Sequence, residues 1–268
     1  MTVGEVLRAA TDYLERKGVA SPRLDAELLL SQALGLTRLE LYTQHDRPLT
    51  QAERAAARAL VERRGRREPL AYVLGEWGFR RLALRIDARA LVPRPETEIA
   101  VERVLALLDG VPRPRVLDVG TGSGAIALAV KDERPDADVT GTDVSAEALS
   151  LARENAERLG LEVELVHAGL VPETGAGWDL VVANPPYVDV SEWDTLEPEV
   201  RDWEPRTALV DEGQTEAIAR ASTSGWLVLE CHEERAHAVA ALLRELGYRD
   251  VRVTDDLAGR PRVVEGRR

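Results

Sequence analysis

Sulfur and aromatic side chains are scarce in this 268-residue chain, which has one cysteine, one methionine, one phenylalanine and only 4% aromatics. The single thiol, Cys231, excludes an intramolecular disulfide and suits a reducing compartment. No apolar run approaches bilayer-crossing length, and residues 1–10 interleave Glu5 and Arg8 with a short apolar pattern, unlike the core of a signal peptide. A cytoplasmic protein with no membrane partner is the expectation. Internal repeats and low-complexity tracts are missing too. Positive charge is in deficit: the net charge is −12. The deficit is uneven, with 15 Arg and Lys against 12 Asp and Glu up to Asp87, and 20 against 35 beyond it. So acidic a second half argues against direct nucleic-acid binding, because phosphate contacts need Lys and Arg. Arg58, Arg63, Arg64, Arg66 and Arg67 form a local basic cluster, which reads first as a solvated helix end and second as a contact to RNA or an acidic partner.

What is present is an apolar content of 44%, enough for a sizeable core in one or two domains. Val3, Val6, Leu7, Ala10 and Leu14 recur at helical spacing before Gly18. Ser21-Pro22 opens a second helix running to Gly35, a short piece follows at 38–42, and Thr50 with Glu53 starts an Ala-rich helix as a capping box. Four helices without strands predict a small bundle over 1–68. Asp25, Glu27 and His45 stand apart from one another in it and read as solvated or capping groups. Residues 69–92 predict a β-hairpin linker, with strands at 76–80 and 82–86. Over 93–268 a proline-stiffened segment leads into a helix from Glu96, and strands then alternate with helices. Strands are expected at 115–119, 138–142, 162–166, 179–183 and 226–230, with a closing pair at 250–254 and 262–265. Helices are expected at 124–133, 146–159, 215–221 and 233–246. This alternation is the signature of a parallel sheet covered on both faces.

Two stretches carry chemistry. Val116-Leu-Asp-Val-Gly-Thr-Gly-Ser-Gly124 is a strand, a glycine-rich turn and a helix start. Gly120, Gly122 and Gly124 permit close backbone approach of a ligand, with Thr121 and Ser123 between them. The spacing is not the G-x-G-x-x-G of a pyrophosphate site, and Asp118 stands before the turn, where a carboxylate suits an amine-bearing ligand. Asp143 ends the next strand about 20 residues on, where an acid takes ribose hydroxyls. A ribose-bearing cofactor with an ammonium and a sulfonium but no phosphate fits: S-adenosyl-L-methionine, leaving as S-adenosyl-L-homocysteine. The second stretch, Asn184-Pro-Pro-Tyr187, ends the apolar run 179–183. Pro185 and Pro186 stiffen the backbone and leave their carbonyls free, Asn184 offers an amide oxygen, and Tyr187 a flat face. Together they read as a cradle for a planar group bearing an NH2.

With both stretches in place the chain resembles class I methyltransferases that modify planar nitrogens, and more narrowly the HemK-type release-factor glutamine methyltransferases. The resemblance spans nearly the whole chain: the helical bundle, Leu70-Ala-Tyr-Val-Leu-Gly-Glu-Trp-Gly-Phe79, Val92-Pro-Arg-Pro-Glu-Thr-Glu98, Asp118 to Gly124, Asn184 to Tyr187, and Gly259-Arg-Pro-Arg-Val263. It implies a Rossmann-like α/β domain with a seven-stranded, mainly parallel sheet and an antiparallel end strand, preceded by a bundle that recognises the protein substrate. It also implies methyl transfer to the glutamine of the Gly-Gly-Gln loop of class 1 peptide-chain release factors by a monomeric enzyme. Cofactor contacts carry over to Asp118, Gly120 through Gly124, Asp143, Leu170 and Asn184. Acceptor contacts carry over to Asn184, Pro185, Pro186 and Tyr187, with Asn184, Pro185 and Tyr187 as the catalytic set. The chain departs from the family at His167-Ala-Gly-Leu170, which has no acid; in the shortened segment between Ala208 and Trp226; and at Glu230-Cys-His232 in place of Glu-x-Gly. Cys231, His232 and His237 are too few and wrongly spaced for a metal site. A ribosomal-protein glutamine or an exocyclic amine of a nucleic acid is the alternative acceptor, and a non-enzymatic binding role the remaining class.

Overall fold

The computed structural model describes residues 1–169, 177–223 and 225–268. By its internal contacts the chain divides into two units, one of residues Met1–Glu76 with Glu197–Trp203, the other of Trp77–Leu196 with Glu204–Arg268.

The first unit is built from α1 (Val3–Arg16), α2 (Pro22–Leu34), α3 (Arg38–Thr43), α4 (Gln51–Gly65) and α5 (Leu70–Leu74). Thr2, Thr37 and Thr50 open α1, α3 and α4 as reciprocal capping boxes with Glu5, Glu40 and Glu53, so each start is fixed by local sequence. Val3, Leu7, Ala10 and Leu14 face Leu29, Leu30, Leu41 and Val61 in one apolar core. Helix α5 supplies Val73 to that core, so the segment expected to open a hairpin linker begins instead as a helix. Its five residues are too few for a helical period to stand out.

Charges expected at the surface are buried here. Asp25 and Glu27 are 5% and 2% exposed. Glu27 accepts hydrogen bonds from Arg23, Arg38 and Tyr42. Arg64, also buried, donates Nε to Asp25 at 2.7 Å and lies 2.8 Å from Glu199, while Arg67 pairs with Glu197 and Glu199. The arginine cluster is therefore partly an interior ion-pair network. Buried charges need such partners because desolvation otherwise costs several kcal/mol.

In the second unit a hairpin, β1 (Glu76–Phe79) and β2 (Leu82–Arg85), precedes α6 (Thr97–Leu107). Then follow β3 (Arg115–Val119), α7 (Ala125–Glu133), β4 (Asp138–Asp143), α8 (Ala146–Leu159), β5 (Glu164–His167) and β6 (Leu180–Ala183). The chain next contributes α9 (Pro198–Arg201) to the first unit and returns as α10 (Gln214–Ala221), β7 (Trp226–Glu230), α11 (Ala236–Glu245), β8 (Arg249–Asp255) and β9 (Pro261–Arg267). The sheet order is β5-β4-β3-β6-β7-β9-β8, parallel from β5 to β7, with β9 antiparallel to both of its neighbours. The expected mainly parallel seven-stranded sheet is present, its antiparallel strand lying one place in from the edge. Leu117, Val119, Val181, Leu227 and Leu229 pack with Ile218, Val239 and Leu243 into its core. Among the described residues no helix is long and apolar enough to cross a membrane.

Register decides where the chemistry falls. Val119 pairs with Thr142 and with Ala183, and Ala183 pairs with Leu229. Gly120, Asp143, Asn184 and Glu230 each come next along their strands, so four polar or glycine positions from distant parts of the sequence stand along one carboxyl edge. Ligands of open α/β sheets bind at that edge, where the strand order reverses.

Candidate active site

A cavity opens above β3, β4 and β6, lined by Gly120, Gly122, Asp143, Asn184, Pro185 and Pro186. The glycine turn is built for close approach. Gly120 and Gly122 have φ of +73° and +57°, and a Cβ on Gly120 would meet nothing within 4 Å, so glycine serves the backbone and leaves that space open. Gly124, at φ +85°, caps α7, where a Cβ would come within 2.9 Å of Leu128 Cδ1.

Asp143 holds the turn, accepting from Gly122 N at 2.9 Å with Oδ2 and from Ser145 N at 2.9 Å with Oδ1. Each oxygen keeps acceptor capacity toward the cavity. Asp118 lies behind the turn rather than on the cavity wall. It is 1% exposed, and its Oδ2 accepts from Thr121 Oγ1 at 2.6 Å and Ala127 N at 3.1 Å. Burial pushes its pKa up to about 7, against the lowering effect of those hydrogen bonds, and Oδ1 has no protein partner. Thr121 and Ser123 are buried with it, the Ser123 carbonyl accepting from Asn155 Nδ2. Leu170 lies outside the described residues, while its neighbours Ala168 and Gly169 line the cavity.

The acceptor stretch follows β6. Pro185 is buried, and Asn184 and Pro186 are half-buried. Asn184 donates Nδ2 to Thr97 Oγ1 at 3.2 Å. Tyr187 stands outside the cavity lining, its ring centroid 6.0 Å from that of His232 and tilted by 40°. Burial raises its phenol pKa, with the nearby Glu230 adding to the shift.

Several contributors were not legible from motif spacing. Ala90, Leu91, Ala148, Ala208 and Ile218 give the cavity apolar walls from four separate stretches of chain. Glu204, buried beside wall residue Pro205, accepts from Val92 N at 3.2 Å and from Arg94, bracing the proline-stiffened segment before α6. An acid one residue before a proline carries no signal of its own, so only the fold reveals it. Cys231 is buried with its pKa raised to about 12, chiefly by desolvation, which keeps the thiol protonated and inert. Among the described residues no group of three or more His, Cys, Asp or Glu is arranged to hold a metal.

Sheet order, glycine turn and carboxyl-edge cavity define a methyltransferase, and the family described as Methyltransferase small domain matches residues 97–222. The hMettl16 catalytic domain, crystallised with an RNA hairpin from the MAT2A 3'UTR, shares the fold at a TM-score of 0.55 and 15% identity, over 80% of each chain. The N-terminal unit matches the family described as PrmC N-terminal domain over residues 5–75. The release factor glutamine methyltransferase of Deinococcus radiodurans is 43% identical over 100% of this chain and 99% of its own length. That of Rhodopirellula baltica is 40% identical over 98% and 95%. The chain belongs to the release factor glutamine methyltransferase family.

Proposed function

We propose that this chain transfers a methyl group from S-adenosyl-L-methionine to the side-chain amide nitrogen of the glutamine in the Gly-Gly-Gln motif of peptide-chain release factors, with its N-terminal bundle gripping the protein substrate. The observation that carries the reading is convergence: the glycine turn, Asp143 and Asn184-Pro185-Pro186 line one cavity, so donor and acceptor elements meet. The residues present suit the cofactor. Open space over Gly120 admits a backbone-hugging group, and Asp143 has acceptor capacity for ribose hydroxyls. Gly120, Gly122, Asp143 and Asn184 would hold it, with Ala148 and Ile218 among the apolar walls. When bound, it supplies a sulfonium-activated electrophilic methyl group.

The protein's task is to make an amide nitrogen nucleophilic. Its lone pair is delocalised into the carbonyl, and two acceptors fixed on the N–H groups localise and aim it. Asn184 Oδ1 and the Pro185 carbonyl are those acceptors, held by a buried strand end and a proline that permits little backbone motion. Tyr187 follows them in the chain but stands outside the cavity lining with its ring toward His232, so it backs the cradle rather than forming its wall. No general base is required, because the nitrogen's surplus proton becomes strongly acidic once methylated.

The deciding experiment incubates a purified release factor with enzyme and S-adenosyl-L-methionine and maps the product by mass spectrometry. One added methyl on the glutamine after two glycines is expected; methyl transfer to naked RNA or DNA but not to protein overturns the reading. Asp143→Ala is expected to weaken cofactor affinity roughly tenfold to a hundredfold in calorimetry, since hydrogen bonds to an ionised group contribute about 1.5–3 kcal/mol.

A further inference from the structure

Helix α8 buries Ala148, Leu149, Leu151, Ala152 and Ala156, and among these apolar positions it also buries Asn155 completely. An amide in a dry helix face is costly unless its hydrogen bonds are made. Here they are made, and to two separate stretches of chain. Asn155 Oδ1 accepts from Arg85 N at 2.7 Å and Nδ2 donates to Arg85 O at 3.0 Å, so the side chain pairs with the end of β2 as a neighbouring strand would. The same Nδ2 donates to the Ser123 carbonyl in the glycine turn at 2.9 Å. Ala152, one turn earlier on α8, lies close to Gly124, where a Cβ would come within 3.3 Å of its own.

Both stretches belong to the cavity. Residues 85–92 leave β2 as a strap without regular structure, and Ala90 and Leu91 of this strap line the cavity opposite Gly120 and Gly122. Strap and turn meet at one point, since a Cβ on Gly122 would stand 3.9 Å from that of Ala90. The middle of the strap is held from outside. Arg89 donates to Asp87 and, at 2.6 and 3.0 Å, to both oxygens of Glu154, which precedes Asn155 on α8. That pair is partly exposed, at 27% and 36%, so water competes for it, whereas no water reaches Asn155.

We propose that Asn155 is a positioning residue that sets the gap between the glycine turn and the strap, and thereby governs how tightly the cofactor is held. The inference rests on the functional reading above, in which that gap takes S-adenosyl-L-methionine. Asn155 itself lies behind the cavity wall and touches no ligand. An apolar side chain of the same size would fill its space but leave Ser123 O and both backbone groups of Arg85 without these partners. Strap and turn would then be ordered separately, and a ligand would have to restore their spacing as it binds. The acceptor stretch stands at the end of β6, on which Asn155 makes no hydrogen bond, so the chemical step is spared.

The test compares wild type with Asn155→Ala, Asn155→Asp and Arg89→Ala. Calorimetry with S-adenosyl-L-homocysteine is expected to show Kd raised roughly fivefold to thirtyfold in Asn155→Ala, the scale of a loop-ordering cost met at binding. Asn155→Asp keeps the shape but not the donors, so it is expected not to restore affinity. For release-factor methylation at saturating S-adenosyl-L-methionine, kcat of Asn155→Ala is expected to stay within about threefold of wild type, the split that separates ligand holding from chemistry. Amide hydrogen exchange on the ligand-free full chain separates positioning from general support. In Asn155→Ala, residues 85–92 and 120–124 are both expected to exchange faster while 180–183 and 226–230 hold. Arg89→Ala, which leaves the tether intact, is expected to quicken 85–92 alone. Wild-type affinity in either Asn155 variant, or faster exchange spread evenly over the sheet, overturns the proposal. A measurement on wild type covers variants that do not fold: adding S-adenosyl-L-homocysteine is expected to slow the Arg85 and Gly122 amides together, and slowing of Gly122 alone overturns the tether. Wild type that binds no S-adenosyl-L-homocysteine refutes the assigned cofactor, while joint loosening of strap and turn in ligand-free Asn155→Ala still upholds Asn155 as what spaces them.

Discussion

Replacing Asn184 by alanine is expected to lower kcat by roughly 10²–10³, the range seen when one preorganised hydrogen-bonding group is removed from a transition-state site. The loss falls on kcat because the amide oxygen matters most when the acceptor nitrogen is becoming nucleophilic. Cofactor affinity should change only a few-fold, since Gly120, Gly122 and Asp143 still frame the cavity. Asn184→Asp is not a repair: Thr97 would lose the N–H it now receives from Asn184, and a second carboxylate would stand near Glu230. Single-turnover methyl transfer with calorimetry in parallel checks both halves. Turnover near the wild-type rate in the alanine variant would remove Asn184 from the chemistry.

The second large effect lies in the bundle. Arg64→Ala is expected to destabilise the protein by about 3–5 kcal/mol, as truncating one member of a buried ion-pair network does. The cost is the desolvation of what stays behind: Asp25 keeps 7% of its side chain exposed and Glu199 16%, and both lose the guanidinium. Chemical denaturation of the full chain measures this, while cofactor affinity of the folded variant should hold because the cavity is lined by the second unit alone. A loss under about 1 kcal/mol would return Arg64 to the class of surface pairs. Acid should reproduce part of the effect. Burial raises the Glu199 pKa, but hydrogen bonds from Arg67 and Arg64 outweigh it, so its folded pKa is lowered. Its contribution is therefore complete above the ordinary glutamate range and fades as pH drops through the lowered value.

The two cases mark the limit of what a sequence discloses. Asn184 was legible because an apolar strand, a polar stop and two prolines are contiguous and each has one dominant physical reading. Gly120, Gly122 and Asp143 could be picked out as a glycine turn and a strand-ending acid, and they line the same cavity, whereas Thr121 and Ser123 between the glycines are buried behind it. Asp118 was legible as a residue but not in direction, since a carboxylate before a glycine turn can face a ligand or the turn's own amides, and here it holds Thr121 and Ala127. Arg64, Asp25 and Glu27 were misread as surface charges because burial is set by partners far away in sequence: Asp25 lies 39 positions from Arg64, and Glu199 lies 132 from Arg67. Local rules give elements and edges; which buried groups meet across distant elements is decided only once register is set.

The return of residues Glu197–Trp203 to the first unit also has a bearing on the order of synthesis. Chains are made from the N-terminus, and domains usually close as they emerge. Here residues up to Glu76 emerge with all five of their helices but without Glu199, the partner that Arg64 and Arg67 share. The first part to be made is thus finished only after β3, β4 and β6 have been translated, and the glycine turn and acceptor stretch have left the ribosome before the older unit is complete.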